Sequence, residues 1–339
     1  MKNMYRHTTR FLIVIALFLV GTPLFLCLTP IPTTGTTSLY IDEDDNLDSV
    51  CIHYSQVSDH HHTWMLRLLL NVAGYSSHIR TGHYALHPSS NILSLVRQLR
   101  SGMQTPIRLT IQPVRTTHIL AGQFGRKLML DSTALDQAFH DSTFCKAYTT
   151  DTSNVISLFL PNTYEVYWNI SLPQLFHRMT MESKSFWNTE RQEQARQIAL
   201  TPNEVMTLAS IVDEETANND EKPHIAGMYI NRLHAGMPLQ ADPTVKFAVR
   251  QFGLKRIYTH HTRTNNPYNT YLNIGLPPGP IRTPSIEGIE AVLHYTHHDY
   301  LYMCAKEDFS GTHNFARTYE EHLKNAHKYS QALNDKGIQ

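Results

Sequence analysis

The sequence predicts an α+β protein held to a membrane by a single N-terminal helix. Three observations lead there. One long uncharged run, Phe11–Leu28, stands alone at the N-terminus. Short helix and strand patterns alternate between residues 63 and 111. From 202 to 333, helical stretches are broken by dense turn punctuation, with polar residues set beside apolar ones. A chain of 339 residues is long enough for two domains or more, and an apolar content of 41% supplies ordinary cores.

The elements follow in chain order. Residues 1–10 read as a cytoplasmic tail, because Lys2, Arg6 and Arg10 precede the apolar run and positive charge stays inside. "FLIVIALFLVGTPLFLCL", residues 11–28, is just long enough to cross a bilayer as a transmembrane helix. Pro23 would kink it, which membrane helices tolerate. A cleaved signal peptide is the rival reading. The run exceeds a usual signal core, and no small-x-small site follows it at once. Residues 29–50 read as a linker: "TPIPTTGTT" is rich in Pro, Thr and Gly, and "DEDDNLD" is a solvated acidic run.

A small module is expected over 51–115. "TWMLRLLLNVAGY" predicts a short helix closed near Gly74, and "HYAL" a strand. "SSNILSLVRQLRSG" predicts a helix with Ile92, Leu95, Val96 and Leu99 on one face and Gly102 as its stop. "PIRLTI" alternates Ile107, Leu109 and Ile111 as a strand does. Small helix-and-strand modules of this kind often bind carbohydrate polymers, which is an analogy of fold. Residues 116–200 read as a connecting, mostly helical region, and 201–335 as a mixed α/β domain.

Composition excludes some functions. Lys+Arg and Asp+Glu both number 29, and no basic stripe marks a nucleic-acid binder. Cys27, Cys51, Cys145 and Cys304 form neither a disulfide framework nor a zinc motif. Histidine is frequent, at 21. The clusters "DHHHTW", "THHT" and "HYTHHD" lack the spacing of a helix-borne zinc pair, and His294 and His298 would straddle a helix end. They read as exposed polar residues, with no metal expected.

One stretch invites chemistry. "LASIVDEETANN" places Asp213, Glu214 and Glu215 at the end of an apolar helix. Thr201 is its N-cap, Pro202 lies in its first turn, and Thr201 with Glu204 fits a capping box. Taken as a helix over 202–217, Val205, Leu208, Ala209, Val212 and Thr216 share one stripe. Glu214 then faces water. Asp213 and Glu215 fall on the two shoulders, each about 80° from the stripe's centre, and periodicity does not separate them. Glu215 has the more aliphatic setting, near Leu208, Ile211 and Val212. Aliphatic walls raise a carboxyl pKa, as a general acid at neutral pH requires. The competing reading is a shoulder carboxylate paired with Lys or Arg.

Four ordered blocks widen the context: "LASIVDEET", "NRLHAGMPLQADPTVKFAV", "NPYNTYLNIGLPPGPIRTP" and "YLYMCAKEDFSGTHNFARTYEEH". They resemble the signature blocks of the endolytic murein transglycosylases, the YceG-like family, strongly over 205–325. The resemblance is weaker over 62–170, where that family carries a LysM-like module and a linking region. It implies a membrane-anchored, cofactor-free enzyme that cuts peptidoglycan glycan strands internally. The bond is the one between N-acetylmuramic acid and N-acetylglucosamine. The muramyl 6-hydroxyl, in place of water, attacks the anomeric carbon and leaves a 1,6-anhydro end. The catalytic glutamate of the family aligns with Glu215. Glu214 stands where Lys is frequent and Asp213 where Glu is, and these departures are expected to push the pKa of Glu215 higher. The expected location is the cell (inner) membrane, single-pass, with the C-terminal domain on the periplasmic or extracytoplasmic side, and the resemblance implies glycan polymerases as partners.

The remaining blocks suit substrate holding. Gln240, Asp242 and Thr244 offer hydrogen bonds, against turn-capping as the plainer role. Asn269 can read hydroxyl and N-acetyl groups, and Tyr271 can stack on a sugar, against aromatic packing. "GLPPGP" forms a stiff loop with few N–H donors. His313 and Asn314 follow a Gly turn after the strand "YLYMCA", where His313 could orient substrate or fill the core. The rival to the enzyme is an inactive, anchored glycan-binding scaffold, for which the altered neighbours of Glu215 and the Met303-Cys304 pair leave room. A metal hydrolase is a third reading, and chelator would abolish its activity.

Overall fold

The structure, a computed structural model, describes residues 21, 25, 27–33, 35–58, 62–254 and 256–337. The predicted membrane helix lies outside them except for Gly21, Phe25, Cys27 and Leu28, as do His60 and His61. Among the described residues no helix is long and apolar enough to cross a membrane. They form an α+β fold of fourteen α-helices and three two-stranded sheets. The chain divides into two compact units: residues 1–109, 127–130 and 164–170, and residues 110–126, 131–163 and 171–339.

In the first unit, β1 (Thr37–Ile41) pairs antiparallel with β2 (Gly82–Leu86), Thr37 opposite Leu86 and Ile41 opposite Gly82. Between them run α1 (Leu47–Val57) and α2 (Thr63–Val72), and α3 (Ile92–Ser101) follows. Strand β3 (Ile107–Thr110) pairs with β4 (Thr163–Val166). Leu39, Ile41, Val50, Tyr54, Leu66, Leu70, Tyr84 and the α3 face Ile92, Leu95 and Leu99 form one core. Gly102 ends α3 in the left-handed region (φ 69°), which its missing Cβ permits.

The expected linker over 29–50 is instead part of this unit. Ile31, Leu39 and Ile41 are buried in its core. The acidic run is a turn in which carboxylates satisfy backbone donors: Asp42 N–H donates to Asp45 Oδ2 (2.9 Å) and Asp44 N–H to Asp42 Oδ1 (3.1 Å). Asn46 then caps α1, accepting from the Asp48 and Ser49 amides. Apart from half-buried Asp45 the acids are solvated, as expected, but they build a structured turn rather than a spacer.

In the second unit, α4 (Thr117–Gly125), α5 (Ser132–His140) and α6 (Ser142–Ala147) precede α7 (Leu172–Phe186) and α8 (Thr189–Gln197). Phe124, Phe139, Phe159 and Phe176 pack edge-to-face or tilted at 5.3–5.5 Å between centroids. Helix α9 (Pro202–Glu215) follows, capped by Thr201 and Glu204 as its sequence predicts. Then come α10 (Lys222–His234), α11 (Asp242–Ala248), the single turn α12 (Thr259–Thr262) and α13 (Ile286–Leu293). Hairpin β5 (Tyr302–Ala305) and β6 (His313–Ala316) pairs Tyr302 with Ala316, and α14 (Tyr319–Asp335) closes the unit.

Helix α9 is more than amphipathic. Every residue from Val205 to Val212 is buried, because α8, α10, α11 and α13 all pack against it. Its two buried polar side chains are satisfied: Thr207 donates to Asn203 O (2.8 Å), and Ser210 donates to Thr207 O (2.7 Å) and accepts from Ile281 N–H (3.0 Å). A one-stripe reading therefore misplaces Glu214. Its side chain is only 12% exposed, and its carboxylate is forked by Arg115 (3.0 and 2.9 Å) and reached by Arg282 (3.0 Å).

Candidate active site

The last turn of α9 presents three carboxylates at the carbonyl end of a helix, where partial negative charge disfavours a further anion. Two are neutralised. Asp213, 3% exposed at its side chain, lies 2.7 Å from Lys222 Nζ and accepts from the Ser285 amide (2.6 Å) and hydroxyl (2.8 Å). Glu214 has its two arginines. Glu215 has neither cation. Its Oε1 accepts a 2.5 Å hydrogen bond from the Tyr229 hydroxyl, which α10 supplies.

Glu215 is half-buried and lines a cleft of about 340 Å³. Burial raises its pKa from 4.5 to about 7. The Asp242 carboxylate adds to the rise, and Glu214 adds least, while the Tyr229 hydrogen bond and Lys246 oppose it. Of the two acidic neighbours expected to raise it, Glu214 does so, as the smallest contribution. Burial and the nearby anion also hold the Tyr229 phenol above its ordinary pKa, so it stays a donor.

The structure brings four of the other sequence-predicted residues to this cleft: Gln240, Asp242, Tyr271 and His313. Asp242 begins α11 and accepts from the Tyr271 hydroxyl (2.7 Å), so each braces the other. Gln240 sits at φ 52° between Gly236 and α11, its Oε1 3.3 Å from Arg232 Nη2. Glu221 binds His313 twice, accepting from its amide (2.6 Å) and lying 3.0 Å from Nδ1.

Three predicted residues do not reach the cleft. Thr244 is fully buried, donating to Ala241 O (2.6 Å) and lying 2.8 Å from the Thr270 hydroxyl. Asn269 is fully buried, donating to the Thr262 and Thr264 carbonyls and accepting from the Tyr271 amide. Both brace the loops that carry Asp242 and Tyr271. Asn314 donates to Glu307 (2.7 Å), within the hairpin turn.

Sequence reasoning missed Tyr229 and Arg232, which lie on one face of α10 three residues apart. Arg232 is buried, with Nε on Leu301 O (2.8 Å) and Nη1 on Leu239 O (2.5 Å). It has no carboxylate partner among the described residues, so its charge reaches the cleft uncancelled. The only sequence signal for it was its place in the block "NRLHAGMPLQ".

Among the described residues the expectation of exposed histidines fails for three, of which His62 is half-buried. His261 is buried and accepts from the Tyr258 amide (3.1 Å), and half-buried His298 is held by the His224 carbonyl (2.9 Å). Among the described residues no group of three His, Cys, Asp or Glu side chains is placed to hold a metal ion.

Comparison with known proteins gives the same neighbourhood. The YceG-like family model matches residues 39–328. An endolytic murein transglycosylase of Bacillus subtilis is 28% identical over 277 residues, covering 77% of this chain and 76% of that protein. One of Streptococcus pneumoniae is 27% identical over 281 residues, covering 73% of this chain but only 50% of that protein. The crystal structure of a yceG-like protein from Listeria monocytogenes shares the fold, with a TM-score of 0.55 at 24% identity, over 85% of this chain and 98% of that one.

Proposed function

The chain belongs to the YceG-like family, and we propose on that footing that it is a membrane-anchored endolytic peptidoglycan lytic transglycosylase. It cleaves the bond between N-acetylmuramic acid and N-acetylglucosamine within glycan strands. The relatives named endolytic murein transglycosylases support this reading. The observation that carries it is Glu215: one carboxyl with a pKa near 7, facing an open cleft, without a cation on it.

The chemistry follows from that carboxyl. In its protonated form Glu215 gives its proton to the departing glycosidic oxygen. The muramyl 6-hydroxyl attacks the anomeric carbon, and the newly formed carboxylate takes the hydroxyl proton. Glu215 is then regenerated with its proton, and the products are a 1,6-anhydro end and a free hydroxyl. Tyr229 donates to Oε1 throughout, which fixes the carboxyl and steadies its anionic form. Gln240, Tyr271 and His313 are placed to hold the sugars, and Arg232 to meet an acceptor group on them.

The anchor belongs to the same reading: the apolar run from Phe11 crosses the inner membrane as far as Cys27, which packs into the first unit, and the rest of the chain after it lies on the far side. The first unit serves as a LysM-like glycan-binding module, and glycan polymerases supply nascent strands. A second reading has its own observation. Asp242 lines the same cleft as Glu215, so water activated by Asp242 could replace the 6-hydroxyl, as in inverting hydrolysis.

End-group chemistry decides. Full-length protein is incubated with uncrosslinked glycan strands and the products are read by mass spectrometry. Anhydro ends from the wild type, absent with Glu215→Gln, support transglycosylation. Reducing ends that vanish with Asp242→Asn mean hydrolysis. Strand binding without any product means a scaffold.

A further inference from the structure

Helix α2 of the first unit has two apolar faces, and among the described residues only one is covered. Met65, Leu66 and Leu70 enter the core. On the opposite side Trp64, Leu68 and Val72 are 56%, 53% and 79% exposed. They recur every fourth residue, so they form one row about 12 Å long. An outward helix row is ordinarily polar, and a contiguous apolar one marks an interaction surface.

Two features say what covers it. The first is where the apolar run ends. Cys27, its penultimate residue, is buried against α2, with its thiol 3.2 Å from the Met65 sulfur. Ile31 N–H donates to Ser90 O (2.7 Å), and Pro30 bridges Asn91 at the start of α3. The end of the apolar run, from Cys27, is therefore already part of the unit, and the chain joins it without slack at Met65 in the first turn of α2. Phe25 and Leu28 on this stretch are also exposed, at 67% and 55%. The second feature is charge. Beyond Ala73, at the end of α2, a shallow depression is lined by Leu93, Val96, Arg97 and Arg100 of α3. Among the described residues neither arginine has a carboxylate partner.

We propose that the Trp64–Leu68–Val72 row of α2 lies in the headgroup boundary of the same bilayer that the apolar run before Cys27 crosses, with Arg97 and Arg100 meeting anionic lipid headgroups. The inference rests on the anchor reading above. A tryptophan at one end of an apolar helix row and unpaired arginines beside the other suit an interfacial helix. The short connection places that row beside the bilayer, so the first unit is held flat on the membrane instead of swinging on a tether.

The full-length chain in vesicles separates the two readings. Flotation reports the anchor. Quenching of tryptophan emission by lipid brominated high in the acyl chain reports the row: residues 11–28 contain no tryptophan, Trp187 is buried, and half-buried Trp168 contributes only the quench that persists in Trp64→Phe. The wild type should float and show a quenchable component that Trp64→Phe removes. Leu68→Glu with Val72→Glu, both exposed and harmless to the core, should float equally but lose most of that quench. Arg97→Glu with Arg100→Glu should weaken it in anionic vesicles and leave it unchanged in zwitterionic ones. Flotation with a quench indifferent to Trp64→Phe overturns the proposal and leaves the anchor standing. Failure to float overturns both. Crosslinking between copies through the α2 row, without quenching, assigns the surface to a second copy of the chain and also overturns it.

Discussion

The last turn of α9 has a cation side and a cleft side, and they treat the same functional group in opposite ways. On the cation side, Asp213 and Glu214 are met by Lys222, Arg115 and Arg282. On the cleft side, Glu215 is met by a phenol. Three consecutive carboxyls thus divide into two structural anions and one proton carrier. The difference lies in partners, since backbone position, side-chain chemistry and helix end are shared. A carboxyl becomes an acid when burial removes water and no cation replaces it.

The largest test of this contrast removes the proton carrier. Glu215→Gln should lower the cleavage rate by roughly 10²–10⁴-fold, the usual worth of a general acid. The same variant should change pH dependence of stability. The folded pKa is about 7 and the ordinary value 4.5. The folded state therefore holds the proton that the unfolded state has lost between those values. Glu215 stability is complete below pH 4.5 and disappears as pH rises to about 7, up to about 3 kcal/mol in all. Urea melts across that window should show a fall in the wild type that Glu215→Gln lacks. A parallel fall in both would mean that Glu215 ionises freely.

The next test is on the cation side. Lys222→Met leaves Asp213 buried without its cation and should cost about 3–5 kcal/mol in urea denaturation. Adding Asp213→Asn should recover a substantial part of the loss, because the amide carries no charge to strand. If the two changes simply add, the pair is not the unit the distances indicate.

This side was the harder one to read in the sequence. Thr201, Glu204 and Gly102 announce helix ends locally, and the structure has them there. Glu215 was separable from Asp213 because its aliphatic neighbours are on its own helix. The partners of Asp213 and Glu214 are not. Ser285 is 72 residues from Asp213, and Arg115 is 99 from Glu214, so a one-stripe wheel assigns Glu214 to water. Tyr229 hides for the same reason, since an aromatic on an apolar helix reads as core until its hydroxyl is seen to end on Glu215. Thr244 and Asn269 show the converse error. Polar residues in a motif suggested ligand contacts, yet they satisfy buried carbonyls and hydroxyls behind the cleft.

The smallest effects bear most directly on the contrast, because they have opposite signs. Tyr229→Phe removes the hydrogen bond that lowers the Glu215 pKa. The alkaline limb of the rate profile should therefore move up by about one pH unit, from a hydrogen bond to a charged group. Glu214→Gln removes a nearby anion that raises it. That limb should move down, by only about a few tenths of a unit, since Arg115 and Arg282 already offset the charge. The arginines would also lose an anion, yet Arg115 is 45% exposed and water can replace it, so the loss of stability should stay near ~1 kcal/mol. A downward shift as large as the upward one would mean that the two arginines do not shield Glu215. The cation side would then set the acidity of the cleft side, and the division between them would fail.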